Sequence, residues 1–312
     1  MKCEGTATLG WLSLSLSGCY CLHQTETTGE ERAMIRVDDF EQATRLERGS
    51  ETVWTAPLRE DWALWGPAGG FISALALRAA GEATGFPRPV SMTCHFLRPG
   101  KFAAAELHVE RLRAGRRSEL LRVDLRQEGK SLLTCSVWTM PDSMPGLVHD
   151  ATRLEGLPDP ETLPAHDVLD PEQTTPPFFR RFDQRPLKGM PRAGEAPRDP
   201  ELTGFYRFTP TATAPDPFVD AARVLLLLDT FGWLAQYPAH PEEDPSPWVA
   251  PNIDYHYRFH RPTRHAEWLH MRVRAPIAEG GLMATDGEIP DAEGYLLATG
   301  ASQLMCLPRA GQ

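Results

Sequence analysis

A chain of 312 residues is too long for one small hydrophobic core and has room for two. Its 41% apolar and 24% charged content is ordinary for a globular protein. A formal net charge of −10 without any Lys/Arg-rich run argues against a nucleic-acid partner, and no apolar stretch approaches the roughly 20 residues that cross a bilayer.

Residues 1–33 read as a disordered extension, or as an over-long start ahead of Met34. Leu16-Ser17-Gly18-Cys19 is similar to a lipoprotein attachment box, but Glu4 and alternating serines break the cationic start and unbroken apolar run of a signal. A reduced, cytoplasmic protein is therefore expected, with a signal ending at Cys19 as the alternative. Cys94, Cys135 and Cys306 sit in strand-like sequence as small hydrophobes, and Cys19-Tyr20-Cys21 is too close for a zinc pattern. No metal or cofactor is expected.

Residues 34–60 are short and mixed. Gly66-Pro67-Ala68-Gly69-Gly70 is a breaker cluster, and Phe71, Ile72, Leu75, Ala76 and Ala79 then share one helical face. Strands follow at 90–97, 106–112, 118–126 and 131–138, the last two joined through Gln127-Glu128-Gly129-Lys130, where Gly suits a positive φ. Twelve of the 29 prolines then fall within 141–200, where periodicity stops, so this range reads as a linker or surface excursion pinned by Phe178, Phe179 and Phe182.

A strand at 201–208 opens a second unit. Asp216-Pro217 starts a helix running to Trp233, and its four consecutive leucines, Leu225 to Leu228, require burial on all sides. In the strand at 253–259, Ile253, Tyr255, Tyr257 and Phe259 take one face by alternation, and Asp254, His256, Arg258 and His260 the other. Strands at 267–275, 280–289 and 294–307 complete the unit. Phe96-Leu97-Arg98-Pro99 returns as Phe259-His260-Arg261-Pro262, 163 positions on; Leu107-His108-Val109 returns as Leu269-His270-Met271 after 162, and Glu128-Gly129 as Glu293-Gly294 after 165. Near-equal offsets in one order point to a duplicated domain. The boundaries read 34–140, 141–200 and 201–312. Each unit is α+β, an antiparallel sheet curling over one helix.

The paired Phe-x-Arg-Pro motifs, Gly69-Gly70 at a helix start, Gln127-Glu128-Gly129-Lys130, Gly280-Gly281-Leu282 and Glu293-Gly294 through Gln303 resemble the double hotdog acyl-CoA thioesterases, the acyl-CoA thioesterase II (TesB-like) group. The resemblance implies a tandem hotdog fold with each sheet wrapped around a central helix. It also implies hydrolysis of fatty acyl-CoA to free acid and CoA. Acyl-CoA is the partner it names; homo-oligomerisation is left open.

Asp229 stands out without the family, as a carboxylate in a leucine-rich helix. It reads either as a helix-end acid bonded to backbone N–H groups or as a general base for water. The resemblance favours the base. It also implies a partner at Asn252, where the family has Thr or Ser, and one on the last strand. Gln303 is taken for that role, with Ser302 as the alternative, since one residue of slip reverses a strand side chain. Gly69 and Gly70 are candidates for polarising the thioester carbonyl, and Arg98 and Arg261 for the CoA phosphates. The first helix has no carboxylate like Asp229, so the first copy reads as a structural half. A non-catalytic acyl-CoA or lipid-binding protein on the same scaffold is the alternative; a hotdog dehydratase would want a His-Gly-Gly-type motif that is not present.

Overall fold

The structure is a computed structural model that describes residues 39–166, 176–191, 195–241 and 247–309; residues 1–33, Cys19 included, lie outside these. The first part runs α1 (Phe40–Ala43), β1 (Glu47–Arg48), β2 (Val53–Pro57), α2 (Gly69–Ala83), β3 (Arg88–Phe96), β4 (Ala104–Ala114), β5 (Glu119–Gln127) and β6 (Lys130–Met140). After the proline-rich stretch come β7 (Phe182–Pro186), β8 (Glu201–Phe208), α3 (Pro217–Leu234), β9 (Trp248–Val249), β10 (Asn252–Phe259), β11 (Leu269–Glu279), β12 (Leu282–Pro290), β13 (Leu296–Met305) and β14 (Leu307–Pro308). Twelve strands make one antiparallel sheet in the order β1-β2-β4-β5-β6-β3-β10-β13-β12-β11-β8-β7, and β9 pairs with β14 apart from it.

That order is a palindrome about the β3·β10 seam. Counting outward, β6, β5, β4 and β2 on one side answer β13, β12, β11 and β8 on the other. The seam itself is an antiparallel ladder in which Asp254 faces His95, His256 faces Thr93 and Arg258 faces Ser91. The offset of 163 seen in sequence exchanges the two strands of this ladder, which is what a two-fold axis between copies requires.

Both helices lie on one face of the sheet. Helix α2 packs on β3 to β6, α3 packs on β3, β8 and β10 to β13, and the helices pack on each other. The leucines of α3 are buried all round because sheet lies on one side and α2 on the other. Burying each contributes about 1.5–3 kcal/mol. Asp216 caps α3 by accepting from the N–H groups of Phe218 (2.8 Å) and Val219 (3.0 Å), with Pro217 at the first helical position. The α2 start has no side-chain cap and no acidic residue in its first turn. The β5–β6 hairpin turns through Glu128 (φ 50°) and Gly129 (φ 71°), as a tight two-residue connection requires.

Two local readings change. Ile253 is 36% exposed rather than facing inward with Tyr255, because the β10–β13 register shifts between Asn252 and Asp254 and the bulge turns it out. Within the stretch read as a linker, Phe178 is fully buried against Trp62, Phe179 and Phe182, and β7 extends the sheet. Proline masked the signal, since β7 is an edge strand and alternates too briefly to register. The stretch before it is strapped to the second half by Asp150–Arg261 (2.6 Å), the Leu154 N–H donating to Gly294 (3.0 Å) and Glu161 accepting from Arg207 (2.8 Å).

Candidate active site

Asp229 lies in the penultimate turn of α3 and is 5% exposed. Its Oδ2 accepts from the Gly70 N–H at 2.6 Å, across the interface between α2 and α3. Its Oδ1 accepts from Asn252 Nδ2 at 2.7 Å. The Asn252 Oδ1 in turn accepts from Ser302 Oγ at 2.7 Å, which fixes which way the amide points. A hydroxyl, an amide and a carboxylate thus form one directed chain from β13 through β10 to α3. Burial pushes the Asp229 pKa up to about 7, while the bonds from Gly70 and Asn252 pull it down.

Both copies build this arrangement. Helix starts carry unpaired N–H donors and partial positive charge, and the uncapped start of α2 from the first copy points them at the acid of the second. The first half therefore supplies one of the two donors that hold the acid. The approach is possible because two glycines open α2. A Cβ on Gly70 would lie 2.8 Å from Leu226 Cα, and one on Gly69 would lie 2.9 and 3.0 Å from the two Asp229 oxygens and 3.1 Å from Phe96 Cε1. The half-buried Phe96 ring and the bare Gly69 Cα therefore lie close against the carboxylate.

Of the residues expected from sequence, Asp229, Asn252, Ser302, Gly69 and Gly70 come together. Gln303 does not join them: it stands opposite Asp254, its backbone N–H donates to Asp254 Oδ1, and alternation turns its side chain to the other sheet face while Ser302 is buried. Arg98 follows the end of β3 nearest the site and donates to the Ser131 carbonyl. Arg261 lies past the far end of β10, roughly 23 Å from Asn252 to Phe259 at about 3.3 Å per residue. There it holds Asp150 and the Leu296 carbonyl and takes no part in the Asp229 cluster.

The palindrome locates a matching position at the opposite end of the sheet. The β3–β6 ladder shifts register between Pro89 and Ser91, as β10–β13 does between Asn252 and Asp254. By that register Pro89 answers Asn252 and Val137 answers Ser302. Where Asp229 meets Gly70 at one helix crossing, Gly81 meets the Phe218 ring at the other, with a Cβ there only 2.6 Å from the ring. An acid, an amide, a hydroxyl and an open glycine are replaced by glycine, proline, valine and phenylalanine. Only the Asp229 end joins an acid, an amide and a hydroxyl.

A buried acid whose pKa is raised to about 7, held by two amide donors, is a candidate for proton transfer. The acyl-CoA thioesterase N-terminal domain family matches residues 58–140 and the acyl-CoA thioesterase C-terminal domain family matches residues 159–306. The chain belongs to the acyl-CoA thioesterase family and is a thioester hydrolase. Among solved structures it is similar to the acyl-CoA thioesterase II TesB2 of Mycobacterium marinum (21% identity, TM-score 0.71, 88% of this chain and 100% of that one). It is also similar to a hot dog fold protein of Alicyclobacillus acidocaldarius (18%, TM-score 0.72, 86% and 97%) and to a tesB protein of Mycobacterium avium subsp. paratuberculosis (21%, TM-score 0.67, 86% and 98%). These likenesses show the hotdog fold. No curated protein matches the sequence. Among the described residues no helix is long and apolar enough to cross a membrane.

Proposed function

We propose that this chain hydrolyses acyl-CoA to the free acid and CoA, with Asp229 as the base that activates water, on two hotdog units joined in tandem, each curled around its helix. The observation that carries the reading is the Asp229 carboxylate, buried yet bonded through both oxygens to Gly70 and Asn252. Water beside the carboxylate gives a proton to Asp229 as its oxygen attacks the thioester carbonyl. The C–S bond then breaks, and the proton passes to the departing sulfur. The amides at the α2 start supply fixed positive potential for the charge that develops on the carbonyl oxygen. Ser302 holds Asn252, and Asn252 holds Asp229, so the base is oriented before substrate arrives. Arg98, just past the end of β3 nearest the site, is the candidate partner for a CoA phosphate.

Asn252 favours one second reading. An amide cannot pass a proton as the hydroxyl expected from the family does, so acyl-CoA binding with turnover much reduced is the competing reading. Purified protein given acyl-CoAs of graded chain length, with free thiol followed, separates the two. Thiol release lost in Asp229→Ala supports the hydrolase. Saturable binding without release by the wild-type protein overturns it.

A further inference from the structure

We propose that Tyr255 is a positioning residue for Asp229. The proposal rests on the hydrolase reading only for its kinetic consequence; the geometry stands without it. Tyr255 is buried on the inner face of β10, and its hydroxyl donates to the Leu228 carbonyl at 3.0 Å. That carbonyl belongs to the peptide unit that ends at the Asp229 nitrogen, so the bond fixes the plane from which the carboxylate side chain springs.

The rest of the turn is keyed in around the same point. Gly287 and Gly300 face each other across β12 and β13. A Cβ on Gly287 would lie 2.5 Å from one Leu228 methyl; one on Gly300 would lie 3.0 Å from the other and 2.6 Å from Tyr255 Cε1. Two bare strand positions thus admit Leu228 and the tyrosine ring together. From the other side the Gly70 backbone presses on Leu226. The ring of Tyr257 stacks on that of Tyr255 at 4.2 Å and 4°, which holds the hydroxyl in line. Strand β10 therefore grips the acid twice, through Asn252 on the carboxylate and through Tyr255 on the backbone.

A displaced Asp229 would lose part of its bonds to Gly70 and Asn252, which favour its ionised form. Titratable groups facing it are Tyr255 and Tyr257 from β10 and Cys94 from β3, all of them held neutral by burial. The test is Tyr255→Phe, which keeps the ring and removes only the hydroxyl. The Asp229 carboxyl is titrated by ¹³C NMR in the wild type and variant, and kcat and KM are measured on the acyl-CoA that the wild type turns over best. The expected result is a carboxyl midpoint displaced to higher pH, with kcat down on the order of tenfold and KM little changed. Tyr257→Phe, which keeps the stacked ring and removes a hydroxyl that does not reach the Leu228 carbonyl, should leave both readings at wild-type values. Superimposable titration curves for Tyr255→Phe and wild type overturn the proposal, whatever the activity. A wild-type protein that releases no thiol sinks the hydrolase reading instead and leaves the titration to decide. A lowered Tm with an unmoved midpoint assigns Tyr255 to packing alone and also overturns it.

Discussion

Thr93 and His256 share a hydrogen bond of 2.8 Å on the outer face of the sheet, and they are each other's counterparts in the two copies. The symmetry axis of the molecule therefore runs through a pair of unlike residues at the middle of the seam. The four central strands on the Asp229 side of that axis have counterparts on the far side, and the differences between the two ends make the site testable.

The pH dependence follows from the Asp229 pKa of about 7. As a base it must be ionised, so kcat/KM should rise with pH through a midpoint close to neutrality and flatten above it. A profile flat from pH 5 to pH 8 would remove Asp229 from the proton-accepting role.

The same shift acts on stability with the opposite sense. The folded acid holds its proton up to about pH 7, whereas the unfolded one releases it near the ordinary aspartate value, so stability present at low pH is lost as pH rises between the two. At about 1.4 kcal/mol per unit the upper bound is about 4 kcal/mol. Asp229→Asn should unfold in urea with a weaker dependence on pH over that range than wild type, and equal slopes would count against a raised pKa.

Asn252→Ala leaves Asp229 Oδ1 and Ser302 Oγ without their partners and should cut kcat by roughly 10- to 100-fold. Ser302→Ala should cost less, because it loosens the amide without removing it. Gln303→Ala, on the other face, should stay within about twofold of wild type. The reverse ranking of Ser302 and Gln303 would show that β13 is read in the wrong register.

The two glycines at the α2 start should separate. Gly70→Ala drives a methyl against the Leu226 backbone, which cannot yield without parting the helices, and should cost about 1–3 kcal/mol of stability. Gly69→Ala meets only a carboxylate and a phenyl ring, which can move, so it should lower kcat more than it lowers Tm. Urea and thermal unfolding beside steady-state kinetics decide both.

Arg261→Ala breaks the tie to Asp150 at the far end of β10 and should leave KM for acyl-CoA unchanged. A large rise in KM would mean that ligand reaches the opposite end of the sheet.

Most of the fold was legible because repetition and alternation are local signals. The four long strands of each copy, the leucine helix and the offset near 163 can all be read along the chain. Asp229 was legible too, since a carboxylate among leucines is conspicuous. Ser302 against Gln303 was not settled by counting, because strand parity decides it and the bulge at Asn252 is a pairing event between distant segments. Gly70 was visible as a helix opener, but its bond to Asp229, 159 positions away, belongs to the packing of α2 on α3. Nothing in the sequence distinguishes Tyr255 from its neighbours as the one that reaches Leu228. The Phe-x-Arg-Pro motif put Arg98 and Arg261 side by side in the reading, whereas the two-fold sends equivalent residues to opposite ends.

The β3·β10 ladder has one more consequence. The strap that joins the halves in sequence is not what holds them in space: the ladder and the contact of α2 on α3 do that. A protease nick in the exposed strap near Leu147 and Val148 would leave two fragments that co-elute as one particle, with the acid of one still seated on the amide of the other.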